Sequence, residues 1–252
     1  MSERTAIEWT DATWNHASGC TKVSPGCQHC YAERFAERFR GVPGHPYEQG
    51  FDLKLWPNRL PQPLQWRKPR RIFVNSMSDL FHNDIPDDFI QRVFDVMVRA
   101  DWHVFQILTK RSSRLAALGP SLPWPNHIWI GVSIETDRYS HRADDLRAVP
   151  AAMRFVSAEP LLGPLPSLNL DGIHWLISGG ESGPHHRPCD PDWVRDLRDR
   201  CVAAGLAFFH KQWGGATHGA GGRTLDGRIW GQMPDMPNGG GQMRFPEVER
   251  SE

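Results

Sequence analysis

The chain has 252 residues, of which 39% are hydrophobic, so it can bury the core of one large α/β domain or two small ones. Its 29 Lys and Arg residues are balanced by 29 Asp and Glu residues, which excludes a global basic field of the kind that attracts nucleic acid. No stretch is long and apolar enough to cross a bilayer, and the first residues are polar. We therefore expect a cytoplasmic protein with no signal peptide and no membrane partner. Five cysteines in a reducing compartment favour metal binding over a disulfide framework.

The first third of the chain predicts one weak strand, one helix and a long connection. The strand, at 12–17, leads directly into a loop that carries three cysteines. Tyr31, Phe35 and Phe39 then recur at i, i+4 and i+8, which predicts a helix with one apolar stripe that ends at a glycine. Residues 42–69 are rich in Pro, Gly and Trp and are predicted to form the connection.

The rest of the chain alternates strand and helix patterns. The predicted elements are, in chain order, strand 70–79, helix 85–100 with Pro86 in its first turn, strand 102–111, helix 112–119, strand 127–136, helix 137–149, strands 153–160 and 173–182, helix 191–205 and strand 206–215. This alternation predicts a parallel α/β sheet that is open or curled into a barrel. We expect residues 1–215 to form this unit, with residues 216–252 as a Gly- and Pro-rich extension packed on it.

Each clear strand pattern ends in polar residues. They are Asn75, Ser76, Ser78 and Asp79; Thr109, Lys110 and Arg111; Ser133 and Glu135; Ser157 and Glu159; Ser178 and Glu181; and His210, Lys211 and Gln212. In a parallel barrel the carboxyl ends of the strands surround one mouth, where the chemistry of such folds takes place. The recurrence of acids, bases and hydroxyl groups favours a shared site, although polarity also begins wherever a strand gives way to a loop.

The loop at 18–30 has the cysteine spacing C-x6-C-x2-C. Cys27 and Cys30 can reach one metal centre from a tight turn, and Cys20 can close over the same centre. Thiolates select zinc or an iron–sulfur cluster. A structural zinc ion needs a fourth ligand, for which two histidines, His16 and His29, are near in the chain. A [4Fe–4S] cluster held by three cysteines instead leaves one iron open to a chelating substrate.

Motifs along the whole chain resemble one protein family. They are TWNHASGCTKVSPGCQHCYAE, VNSMSDLFH, ILTKR, VSAEPLLGP, ISGGESG, HKQWGG and LDGRIWGQMP. On these stretches the chain is identified as a member of the phage Gp37/Gp68 family, also called DUF5131. The three clustered cysteines after a first strand also resemble the radical S-adenosylmethionine (SAM) superfamily. That resemblance implies a partial (β/α) TIM-like barrel of roughly six to seven parallel strands.

The superfamily resemblance implies a [4Fe–4S] cluster on Cys20, Cys27 and Cys30, with SAM bound to the open iron. One electron, from a donor such as flavodoxin or ferredoxin, would cleave SAM to methionine and a 5′-deoxyadenosyl radical that abstracts hydrogen from a substrate. The usual superfamily spacing is C-x3-C-x2-C, so the first segment is three residues longer here. The association with phage suggests a nucleobase or nucleotide as the substrate class.

The resemblance also implies contacts between SAM and the strand ends. In the superfamily, the residue before the last cysteine packs on the adenine, and here that residue is His29. The end of the second strand meets the SAM amino group, which makes Ser76, Ser78 and Asp79 candidates for this contact.

A middle strand of the superfamily contacts the ribose and the methionine carboxylate, which points to Ser133 and Glu135 here. Lys110 can neutralise a carboxylate or a phosphate. Glu181 lies in the GGES stretch at 179–182, after a later strand than the GGE element of the superfamily. It is a candidate for a contact with SAM and equally for the cap of a tight turn.

Glu159 and Lys211 are the candidate catalytic residues. Glu159 can orient a substrate or move a proton, and Lys211 can neutralise an anionic group. The favoured function is that of a radical SAM enzyme. The alternatives are a zinc- or cluster-stabilised nucleic-acid-binding protein without catalysis, and a cluster-bearing partner that acts only within a larger complex.

Overall fold

The computed structural model, which describes residues 5, 7–217 and 219–235, alternates strands and helices. The strands are β1 (Ala12–Trp14), β2 (Ala17–Ser18), β3 (Lys54–Leu55), β4 (Arg71–Val74), β5 (Val104–Thr109), β6 (Ile128–Ser133), β7 (Arg154–Ala158), β8 (Trp175–Gly179), β9 (Ala207–Gln212), β10 (Thr224–Leu225) and β11 (Arg228–Ile229). The α-helices are α1 (Tyr31–Glu37), α2 (Gln62–Gln65), α3 (Asp87–Arg99), α4 (Ser112–Leu118), α5 (His141–Arg147) and α6 (Pro191–Ala203).

Seven strands form one parallel sheet, in the order β1-β4-β5-β6-β7-β8-β9. The order follows the chain, so each new strand is added on the same side as the previous one. Right-handed crossovers then keep the connecting segments on one face, and the sheet curls into a half-barrel around the other face. The prediction of an α/β partial barrel with six to seven parallel strands is confirmed.

Aromatic rings fill the inner face of the half-barrel at the amino-terminal ends of its strands. The ring of Trp175 on β8 lies 5.6 Å from Phe155, 6.2 Å from Trp129 and 6.2 Å from Phe209, measured between centroids. The packing is so close that a Cβ on Gly131 would lie 2.5 Å from the Phe155 ring. Because side chains alternate between the faces of a strand, residues two and four positions further along continue this inner face toward the mouth.

Two local predictions need correction. The apolar stripe of α1 does not face the core: Tyr31 and Phe35 are 55% and 44% exposed, whereas Ala32 and Ala36 are buried. The small side chains of α1 therefore form its inward face. Pro86 precedes α3 as its N-cap and does not lie in the first turn.

Residues 219–235 pair with the last strand of the sheet at one bridge and otherwise form a short hairpin of their own. Gly231 forms an antiparallel bridge with Phe209 of β9, and β10 and β11 pair as a short hairpin. Residues 219–235 belong to the extension expected at 216–252, of which residue 218 and the last stretch, 236–252, lie outside the described residues. Its separation from the barrel as a unit stays a prediction. Within the described residues, no helix combines the length and apolarity that a membrane crossing requires.

Candidate functional site

Five charged side chains lie at or just past the carboxyl ends of the strands. They are Lys110 after β5, Glu135 after β6, Glu159 after β7, Glu181 after β8 and Lys211 within β9. Opposite charges pair between neighbouring strands: Lys110 Nζ lies 3.1 Å from Glu135 Oε1, and Lys211 Nζ lies 3.0 Å from Glu159 Oε1. The structure thus brings together polar residues that were expected at one mouth, and we call these five residues the rim.

Glu135 is fully buried and binds the cysteine loop. Its Oε1 accepts a hydrogen bond from Ser24 Oγ at 2.6 Å, and its Oε2 accepts one from Arg142 Nη1 at 3.1 Å. Burial alone would raise the pKa of this carboxyl group, but the Lys110 and Arg142 cations hold it below its ordinary value. Gly26 passes so close that a Cβ there would lie 2.5 Å from the Glu135 side chain.

Glu181 fixes another part of the loop. It accepts hydrogen bonds from the Arg187 guanidinium, and its Oε2 lies 3.0 Å from His29 Nδ1. Burial opposes ionisation, but the bonds from Arg187 and His29 lower the pKa of Glu181 to about 2. Arg187 also donates to the Pro25 carbonyl at 3.0 Å and to the Gln28 side chain at 3.3 Å. His29 and Glu181, both expected to contact SAM, therefore contact each other.

The acceptor positions of Asp79 are occupied by protein groups. Its Oδ1 accepts hydrogen bonds from the Phe81 amide at 3.0 Å and from Thr109 Oγ1 at 2.7 Å. Its Oδ2 accepts from the Lys110 amide at 3.0 Å and from Arg111 Nη1 at 3.1 Å. These bonds tie the segment after β4 to the end of β5, and the expected contact of Asp79 with the SAM amino group stays a prediction.

Arg111 contacts the first cysteine of the loop. Its Nη1 lies 3.3 Å from Cys20 Sγ, and its Nη2 donates to the carbonyl and the hydroxyl of Thr21 at 3.0 and 2.9 Å. The sequence marks Arg111 as a polar strand end, but nothing in it links this side chain to a cysteine 91 positions away.

Two polar side chains near the loop lack a hydrogen-bond partner. Ser78 Oγ and both polar side-chain atoms of Asn75 are buried without one among the described residues. Ser78 forms a backbone bridge with Gly19, next to the first cysteine. Ser76 differs, because its hydroxyl bonds the Asn15 side chain at 3.1 Å. Buried polar groups are normally bonded, so Asn75 and Ser78 are groups that a ligand at this strand end would satisfy.

The remaining expected contacts lie on β6 and β7. Ser133 is buried, and its carbonyl accepts a hydrogen bond from an α5 arginine at 2.7 Å. Glu159 accepts a hydrogen bond from Ser157 Oγ at 3.2 Å in addition to its ion pair with Lys211. Gly179 leaves space for this carboxylate, since a Cβ there would lie 2.7 Å from Glu159 Oε1.

The three cysteine thiols are close enough for their charges to affect one another's pKa. Burial raises the pKa of Cys20 to about 11 and also raises the pKa of Cys30, and Cys27 contributes to both increases. The amides of Ala32 and Glu33, at the start of α1, act on Cys30 in the opposite direction. All three cysteines are partly exposed and free of disulfides.

The two histidines that were expected as a fourth zinc ligand have other neighbours in this structure. Throughout the described ranges, no group of three or more His, Cys, Asp or Glu side chains lies close enough to hold one metal ion. Of the two expected fourth ligands, His29 is paired with Glu181, and His16 is buried against Trp14 and Phe89.

The fold and the site together define a class of protein: a parallel (β/α) half-barrel with a three-cysteine loop bound to its rim. A family model described as "Protein of unknown function (DUF5131)" matches residues 4–234, and the chain belongs to that family. Among curated proteins, none matches the sequence at a significant level.

Solved structures of spore photoproduct lyase are similar to this chain in fold. One, "Spore photoproduct lyase complexed with dinucleoside spore photoproduct", has 14% sequence identity and a TM-score of 0.50, over 75% of this chain and 60% of that one. A point mutant of the same enzyme gives 14% identity and a TM-score of 0.48, over 78% and 64% of the two chains. This chain therefore spans less than two thirds of the length of these structures, and the likeness is one of fold.

Proposed function

We propose that this protein is a radical SAM enzyme, with a [4Fe–4S] cluster on Cys20, Cys27 and Cys30 and SAM at the open iron. The observation that carries the proposal is the three-thiol loop bound to the polar rim of a parallel half-barrel. The fold similarity to spore photoproduct lyase, a radical SAM enzyme, supports the class. When bound, the cluster and SAM supply one-electron cleavage of SAM and hydrogen abstraction from a substrate.

The residues of the chain have separate tasks in this proposal. Glu135 holds the middle of the loop through Ser24, and Glu181 together with Arg187 holds its later part. Asn75 and Ser78 offer buried hydrogen-bonding groups to SAM, since their side-chain polar atoms have no partner among the described residues. The ion pair of Glu159 and Lys211 is proposed to orient the substrate and to hold a proton near it.

Anaerobic reconstitution with iron and sulfide, followed by EPR of the reduced protein with and without SAM, tests this function. We expect a [4Fe–4S]⁺ signal that changes when SAM is added. Cys27→Ala should reduce the iron content to background, whereas Cys201→Ala should retain it, because Cys201 is buried in α6 as a small apolar residue. Equal iron loss in both variants, or about one zinc and no cluster in the wild-type protein, would contradict the proposal.

A nucleobase or nucleotide is the proposed substrate class. Tyr31 and Phe35 are exposed on α1, directly after the last cysteine, where aromatic rings can stack on bases. The similar structure of spore photoproduct lyase contains a dinucleoside, which supports the same class. We expect single-stranded oligonucleotides, but not a control peptide, to increase the yield of 5′-deoxyadenosine. Phe35→Ser should reduce this increase, and Val202→Ser, a matched change at an exposed residue of α6, should not.

A further inference from the structure

The contacts of Arg111 place a cation directly against a cysteine sulfur. Its Nη1 lies 3.3 Å from Cys20 Sγ, and the side chain is only 7% exposed. Among the described contacts, Arg111 is the charged side chain that donates a hydrogen bond to a cysteine sulfur of the loop, whereas the contact at Cys27 Sγ is with the neutral Ser24 hydroxyl at 3.8 Å. A neighbouring cation, Lys22, affects Cys27 and Cys30 only through its charge and is 53% exposed in its ion pair with Glu33.

The position of Arg111 is fixed from both sides. Asp79 Oδ2 accepts a hydrogen bond from its Nη1, and Thr109 Oγ1 accepts one from its backbone amide at 2.9 Å. On the loop side, the Thr21 hydroxyl that accepts from Nη2 lies 3.0 Å from His82 Nε2. A guanidinium with this many hydrogen-bond partners is held in one position. Its contact with Cys20 Sγ is therefore a stable feature of the site.

A buried cation beside a cluster ligand changes the reduction potential of the cluster. The reduction potential of iron–sulfur clusters depends on their net charge and on hydrogen bonds to their sulfur atoms. Reduction adds one negative charge, which the buried Arg111 guanidinium stabilises and the Asp79 carboxylate paired with it opposes. The guanidinium has the larger effect on Cys20 because it bonds the sulfur directly at 3.3 Å. We infer that Arg111 is a positioning residue that holds Cys20 as a cluster ligand and raises the reduction potential of the cluster. The inference rests on the proposed function.

The test is a potentiometric titration of the reconstituted full-length protein, with dithionite as the reductant and EPR as the readout, together with iron analysis. In Arg111→Gln we expect the equilibrium constant for one-electron reduction to fall about tenfold, equivalent to about 59 mV toward negative potential. Arg111→Lys keeps the charge and should show a smaller shift. Lys22→Gln is the matched control for charge without a hydrogen bond to sulfur, and Thr21→Val is the control for the loop contact. The reduction potentials of both control variants should stay closer to that of the wild-type protein than the potential of Arg111→Gln.

The outcomes separate this inference from the function on which it rests. If the wild-type protein forms no cluster, the proposed function fails and the inference with it. If the wild-type protein forms a cluster but Arg111→Gln leaves both iron content and potential unchanged, only the inference is overturned. A potential shift in Thr21→Val as large as that in Arg111→Gln would also overturn it, because the effect would then come from the loop and not from the bond to Cys20.

Discussion

Replacing Glu135 by Gln is the most informative perturbation of the rim. The substitution keeps the shape of the side chain but removes its charge and converts one acceptor into a donor. Glu135 is fully buried, and its carboxylate is shared by Lys110, Arg142 and Ser24. The variant would therefore place an NH₂ group against cations or hydroxyl donors that need an acceptor.

The expected cost follows from the exposure of the two cations. Removing one partner of a buried ion pair costs about 3–5 kcal/mol of folding free energy. Lys110 is 19% exposed and can turn its amine toward water, whereas Arg142 is 4% exposed and cannot. We therefore expect the lower end, about 3 kcal/mol, which corresponds to a decrease of about 6–12 °C in the thermal midpoint for a chain of this size.

The measurement is urea unfolding of Glu135→Gln and wild type at pH 7 and at lower pH. Because the pKa of Glu135 is lowered in the folded state, its stabilisation is present above its ordinary pKa and is lost as the pH falls through the folded value. The difference between the two proteins should thus shrink in acid. Glu159→Gln is the control, since Glu159 is 15% exposed and pairs with a single cation, so its loss should cost only about 1.5 kcal/mol. An equal loss in the two variants would refute the reasoning.

Two smaller predictions concern residues away from the rim. Burial lowers the pKa of His16 to about 3 in the folded state. As the pH is lowered from 6.5 to 3, His16 is protonated in the unfolded chain but not in the folded protein, so the free energy of unfolding falls by about 1.4 kcal/mol per pH unit. His16→Phe should remove this slope in urea unfolding while matching wild type at pH 7; an unchanged slope would contradict the assignment. Asp190 caps α6 by accepting from the Asp192 amide at 2.9 Å. Asp190→Ala should therefore cost about 1 kcal/mol in the same assay, and Asp190→Asn, which keeps the acceptor, should cost clearly less.

The fold and the position of the rim could be predicted from sequence because both follow from local periodicity. Apolar runs that alternate with helical patterns define a parallel sheet, and polar residues just after each run lie at the carboxyl ends of the strands. The same periodicity predicts that Glu135, Glu159 and Glu181 lie at one mouth. The sequence also predicts that a helix follows the three-cysteine loop directly. All of these features can be read from the spacing of residues within short segments.

The contacts between the loop and the rim could not be predicted in the same way. Arg111 and Arg187 are ordinary charged residues in their local sequence, and their partners lie 91 and 162 positions away in the chain. The exposure of the α1 stripe has a related cause: the pattern of Tyr31 and Phe35 indicates an apolar face, but tertiary position decides which face is covered. Such pairings depend on the path of the loop across the strand ends.

The longer spacing between Cys20 and Cys27 gains a physical explanation from these contacts. Each residue held in one conformation costs about 1–2 kcal/mol of backbone entropy, so three additional residues would loosen an unsupported loop. Here the barrel and α1 bind the segment at successive positions: Thr21 by Arg111, Lys22 by Glu33, Ser24 by Glu135 and Pro25 by Arg187. The geometry of the thiols is therefore set by residues far away in sequence. If the loop holds the proposed cluster, substitutions at Glu135 or Arg187, which contact no cysteine sulfur, should still lower the iron content of the reconstituted protein by disordering the loop.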